Sequence, residues 1–199
     1  MLGCLGKFIK LTILILAIIG FIAIGGVTFL KDFVKNPFSQ AQESKMEKAY
    51  SIADFSKLDK EFEIVSSAKL PKIGKYVYIK HAASNQHFFL SKPAKKDLLT
   101  KNDFYTRKAH HKIKEFFKDY GKVIGINKLN IYQIQNSYGL NQEIPYVKFQ
   151  VTLTNIPIKD INGYIGVANK ENEDIIIISA NTNDKYSQII TNALLTQIK

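Results

Sequence analysis

Hydrophobic positions along this chain follow three different patterns, and the longest is an unbroken apolar run, Leu11–Leu30, reading LTILILAIIGFIAIGGVTFL. Thr12 and Thr28 are its only polar side chains, and no charge falls between Lys10 and Lys31. At about 1.5 Å per residue, a helix of this length spans about 30 Å, the thickness of a bilayer's hydrocarbon core. The pattern predicts a transmembrane helix over 11–34, preceded by a short basic tail over 1–10 that carries Lys7 and Lys10. Signal peptides and signal anchors both open this way. Ala23-Ile24-Gly25 offers a peptidase its small residues, whereas continuation of the run through Val27-Thr28-Phe29-Leu30 favours an uncleaved anchor. Lys31 and Lys35 balance Lys7 and Lys10, so orientation rests on the shortness of the tail: tail inside, domain extracytoplasmic, at the cell membrane.

Beyond Asn36-Pro37, the stretch 35–55 is polar and rich in helix formers, which predicts a solvated juxtamembrane linker or helix. A globular domain is expected over 56–199. Short β-rich runs there predict strands at Phe62–Val65, in KYVYIKH (75–81) and in HFFL (87–90), the last two forming a hairpin. Thr100 with Asp103 is close to a capping box, and Tyr105, Ala109, Ile113, Phe116, Phe117 and Tyr120 recur at helical spacing, predicting one helix from Thr100 to about Gly121. Three further strands are expected at 123–135, 145–155 and 162–169. Asp174–Ala180 then completes a hairpin with the last of these, and its Ile175–Ile178 run has the look of a central strand covered on both faces. A closing helix is expected from about Asp184, capped by Asn181, Thr182 or Asn183 and burying Tyr186, Ile189, Ile190, Ala193, Leu194 and Ile198. The fold class is α+β: a mostly antiparallel sheet packed against two main amphipathic helices, behind the membrane helix.

Charge adds a bias toward anionic partners. The net charge is +11, and between Lys92 and Lys122 ten Lys and Arg face four acids. Lys95, Lys96, Arg107, Lys108, Lys112, Lys114 and Lys118 are therefore the candidate contacts to an anionic lipid or envelope surface. Ordinary solvation of a lysine-rich surface is the competing reading. Arg107 is the sole arginine, and forked readout of base edges leans on arginine, so sequence-specific nucleic-acid binding is disfavoured. The Lys, Ile and Asn content suggests an AT-rich, bacterial source.

Candidate chemistry is sparse. The sole cysteine, Cys4, precedes the apolar run, whereas a lipobox cysteine follows one; it also leaves no disulfide framework and no thiolate metal cluster. His110 and His111 are adjacent, so on a helix they diverge by about 100°. His81 and His87 complete no HExxH or HxH spacing, and GxSxG, GxxxxGK[ST] and GxGxxG are all missing. No catalytic residue, cofactor-binding residue, metal ligand or cofactor is assigned, and an enzyme is not expected.

The order of KYVYIKH leading into a hairpin, the helix from Thr100 to Tyr120, the strands PYVKFQVTL, GYIGVAN and DIIIISA, and a final helix beginning DKYSQII resembles the α/β/α sandwich of the photosystem PsbP, DcrB and Ran-binding Mog-like proteins. The resemblance spans roughly residues 60 to 199. It implies a non-catalytic binding or assembly module, often exported and tethered to a membrane, and it carries no site residue onto this chain. The functional expectation is a single-pass anchored protein, held through 11–30, whose domain binds a partner protein or envelope component. The alternative is a peripheral lipid-binding or lipid-handling domain that sets its basic helix against an anionic membrane.

Overall fold

A computed structural model of the chain describes residues 42–70, 74–94, 97–124, 126–154, 160–182 and 184–199. The basic tail, the expected anchor at 11–34, and Lys95 and Lys96 lie outside the described residues. Among the described residues no helix is long and apolar enough to cross a membrane.

The architecture is a seven-stranded sheet between two helical layers. In chain order its elements are α1 (Gln42–Tyr50), β1 (Phe62–Leu70), β2 (Gly74–His81), β3 (His87–Pro93), α2 (Lys101–Tyr105), α3 (Ala109–Ile124), β4 (Ile126–Gly139), β5 (Gln142–Leu153), β6 (Asp160–Lys170), β7 (Glu173–Thr182) and α4 (Gln188–Gln197). The strand order is β1-β2-β3-β7-β6-β5-β4, with every neighbouring pair antiparallel. Two hairpin stacks, β1–β3 and β4–β7, thus meet at the β3–β7 seam. The isoleucine run of β7 occupies the centre: Ile176 and Ile178 face the α2–α3 layer, Ile175 and Ile177 the α1–α4 layer. A strand so placed has no solvent face, which is why its sequence does not alternate.

Two tight turns set the register of the second stack. Leu140-Asn141 and Glu171-Asn172 all have positive φ, between 49° and 61°, as two-residue hairpin loops of the primed kind demand. Leu140 adopts this conformation despite its Cβ, because its side chain is buried in the α1–α4 core and its N–H donates to the Leu195 carbonyl, 3.1 Å away. Gly139 beside it lies against Leu195 so closely that a Cβ would collide with it. The β4–β5 turn is thereby pinned to α4.

The helices depart from the sequence reading in three places. The segment expected as a solvated linker or helix does form a helix, at Gln42–Tyr50, but it is packed: Ala49, Ile52 and Ala53 are fully buried and Phe55 nearly so, at i, i+3, i+4 spacing over the β1–β2 end of the sheet. Reciprocal backbone bonds between Asp54 and Lys199, at 2.5 and 3.1 Å, then join this arm to the end of α4. The single helix expected from Thr100 is two helices, broken at Thr106–Lys108 with Arg107 in the left-handed region (φ 61°). The break lets Phe104 and Ala109 both reach the core and turns Tyr105 outward, 59% exposed. Finally, α4 begins at Gln188 behind an N-cap at Ser187, four residues later than expected. Thr191, Leu194, Leu195 and Ile198 are buried, Tyr186, Ile190 and Ala193 pack partly buried against the same core as expected, and Ile189 alone of the expected face stands 81% exposed.

Candidate functional site

The elbow between α2 and α3 positions most of the predicted basic residues. Thr100 and Asp103 form the full capping box: the Thr100 hydroxyl accepts from the Asp103 N–H, and the Asp103 carboxylate accepts from the Thr100 N–H at 2.8 Å. Lys112 reaches back across the elbow, its Nζ 2.6 Å from Asp103 Oδ2 and 2.9 Å from the Asp97 carbonyl. Burial pulls the Asp103 carboxyl upward, but the bonds from Lys112 and Thr100 outweigh it and hold the group below the usual carboxylate range. Lys112 is therefore a clamp inside the domain and does not belong to the open basic surface.

The other described candidates remain outward. Arg107 and Lys108 are exposed at the elbow, and Lys114 and Lys118 are exposed one turn apart on α3, opposite the buried Ala109, Ile113 and Phe117. His111 and Glu115 pair between them at 3.1 Å, both well exposed. The structure thus brings four of the seven predicted residues onto one elbow and arc.

The four histidines are distributed, not clustered. His110 donates through Nε2 to the Tyr132 carbonyl, 2.8 Å away at a bulge of the edge strand β4. His81 lies edge-on to Phe62, near Ser84 and the Glu61 carboxylate. His87 stacks over Tyr78 on the opposite face of the sheet, with Nδ1 2.7 Å from the Tyr78 hydroxyl. Burial, reinforced by Lys80, pulls the His87 pKa down to about 4, while burial and Glu63 push the Tyr78 phenol up, so a neutral imidazole faces a neutral phenol. Among the described residues, no group of three or more His, Cys, Asp and Glu is arranged to hold a metal ion.

A second polar cluster, missed by the sequence reading, sits under the start of α4. Gln86 is fully buried in the β2–β3 loop. Its Nε2 is within 3.0 Å of Ser179 Oγ, Thr191 Oγ1 and the Ser187 carbonyl, and its Oε1 accepts from the Ser187 N–H at 2.8 Å. Asn181 extends the network to the Ser84 and Lys185 carbonyls. These groups come from residues about a hundred positions apart, and each alone reads as an ordinary turn or cap residue, so no local signal announces them.

No protein-family model and no curated protein matches the chain. At the level of the fold the chain is weakly similar to the solution structure of cyanobacterial PsbP (CyanoP) from Synechocystis sp. PCC 6803, with 11% identity and a TM-score of 0.41 over 70% of this chain and 82% of that one.

Proposed function

We propose that the chain is a single-pass membrane protein, anchored through residues 11–30, whose extracytoplasmic domain is a non-catalytic binding module for a partner protein or an anionic envelope component. The observation that carries the binding role is the exposed arrangement of Arg107, Lys108, Lys114 and Lys118 around the α2–α3 elbow, with Lys112 withdrawn to hold the elbow in shape. A binding reading, as opposed to a chemical one, is supported by where the buried ionisable and polar groups go: Asp103, His81, His87 and Gln86 are each bonded to side chains or backbone of the fold itself. The anchor reading rests on the uncharged apolar run and its basic flank. Carbonate extraction of membranes containing the full chain should leave it in the pellet, and protease added to spheroplasts should degrade the domain; release by carbonate, or full protection, sinks this arrangement.

The same basic arc supports a second reading, direct contact of α3 with anionic headgroups, with about 1 kcal/mol contributed per lysine near such a surface. Trypsin cleavage at Lys114 and Lys118 in the reconstituted full chain separates the two. Protection by anionic vesicles that disappears in neutral ones or at high salt supports lipid contact, and equal cleavage in both supports a separate partner.

A further inference from the structure

Across the β1–β3 stack the pairing aligns three lysines. Lys69 lies opposite Lys75, and Lys75 opposite Lys92. Strand alternation places all three on the α1–α4 face, in the row next to Ser67, Val77 and Leu90. Neighbouring strands are about 4.8 Å apart, so three lysine stems stand side by side, and like charges directly opposite one another repel. Lys92 is answered within the domain: its side chain is 7% exposed and its Nζ lies 3.2 Å from Glu173, itself 55% exposed. Lys69 and Lys75 make no ion pair among the described residues.

The alignment is held firmly. Gly74 has a φ of 117°, and a Cβ there would collide with the Lys92 carbonyl oxygen and the Ala94 amide nitrogen, so only glycine lets the start of β2 lie against the end of β3. The Ser91 hydroxyl donates to the Lys75 carbonyl at 3.1 Å, which fixes the backbone of the central lysine. The backbone that carries the three lysines is thereby fixed in register, which lowers the ordering cost of binding an anion across them.

We infer that the Lys69–Lys75–Lys92 row binds a soluble phosphate ligand bearing more than one phosphoryl group. Lysine ammoniums bind phosphoryl oxygens as point charges, without a fixed direction of approach. The row covers two strand spacings, about 10 Å, wider than the oxygens of a single phosphate. Glu173, the counter-ion to Lys92, is 55% exposed and can exchange its place beside Lys92 for a phosphoryl group by turning into solvent. The row lies on the opposite face of the sheet from the α2–α3 layer, so it is independent of the basic elbow.

Thermal unfolding of the full chain in detergent at low ionic strength, titrated with inorganic pyrophosphate, tests the site. Pyrophosphate should raise the Tm of the wild type, by an amount that fades as salt rises, and should act at lower concentration than orthophosphate. Lys75→Gln should weaken the apparent affinity about tenfold, and Lys75→Arg should retain it. Without ligand, Lys75→Gln should melt no earlier than the wild type, because the like-charge row is relieved. Should it melt earlier, the affinity is read instead from Lys69→Gln at the exposed end of the row, with the same loss expected. Lys114→Gln combined with Lys118→Gln should leave the pyrophosphate response intact. The inference fails if the wild type does not respond at low salt, if Lys69→Gln with Lys75→Gln responds like the wild type, or if only anionic phospholipid vesicles, and not pyrophosphate, stabilise the protein.

Discussion

The two faces of the sheet bury comparable apolar cores and close them by different means. The α2–α3 face is covered by one continuous stretch, with Leu99, Phe104, Ala109, Ile113 and Phe117 contributed within about twenty residues. Its capping box and Asp103–Lys112 clamp lie between neighbours in sequence, and Lys101 and His110 add bonds to Gln142, Glu143 and the Tyr132 carbonyl on the adjoining strands. The α1–α4 face is covered by segments from far apart in the chain, Ala49–Phe55 and Ile190–Ile198, each presenting a short apolar stripe. Here the bonds that fix position are long-range: Asp54 with Lys199, Gln86 with Ser179, Ser187 and Thr191, and the Leu140 N–H with Leu195. A contiguous amphipathic helix finds its register through its own length. Two distant segments need directional bonds as well, because hydrophobic contact alone does not select one docking position.

The largest expected effect tests that difference. Gln86→Leu strips partners from the buried backbone of Ser187 and from two hydroxyls, and should cost about 4 kcal/mol in denaturant unfolding, with α4 amides exchanging before those of α3. A loss under about 1 kcal/mol would mean that α4 docks by apolar contact after all. Phe104→Ala on the other face should cost about 3.5 kcal/mol through the cavity it leaves, without separating the exchange of α3 from the rest. If α3 then opens locally, the contiguous face is no more cooperative than the composite one.

His87 adds a pH dependence confined to the α2–α3 side. Its folded pKa is depressed from 6.5 to about 4, so the unfolded chain binds more protons between those values. Stability contributed by the neutral imidazole is present above pH 6.5 and is lost as pH falls toward 4, about 3 kcal/mol in all. Urea midpoints across that window should slope in the wild type and flatten in His87→Gln; an unchanged slope would assign the effect elsewhere. Asp103→Ala, which releases both the cap and Lys112, should cost about 2 kcal/mol at neutral pH and raise trypsin cleavage at Lys112. Smallest of all, Ile189→Gln should change stability by no more than about 0.5 kcal/mol, although helical spacing alone would place Ile189 in the core. A loss of several kcal/mol would return Ile189 to the buried stripe.

The Ile189 case shows how a single position of a helix escapes a sequence reading. Tyr186, Ile190, Ala193, Leu194 and Ile198 pack against the core as their spacing implies, but the extended Ser187 delays the helix, and Thr191 and Leu195 are buried where Ile189 was expected. The elbow at Arg107 is similar: the apolar period continues through it, and nothing local signals the left-handed residue that divides the helix. Four of the seven predicted basic residues remain outward, since a charged side chain on a helix's polar side needs no partner to stay solvated. Lys112 turns inward because a carboxylate fixed by the capping box waits within its reach.

By itself the sequence determined the elements whose cause is local: the seven strands through their β-branched runs and turn residues, the capping box at Thr100, the central place of the Ile175–Ile178 run, and the apolar stretch at Leu11–Leu30. The tertiary structure alone decided which distant groups meet. Gln86 under α4, Asp54 against Lys199, and Lys69, Lys75 and Lys92 in one row all depend on strand register and on which segments share a face. Propensity and periodicity act over a few residues, whereas register is settled by the packing of the whole sheet.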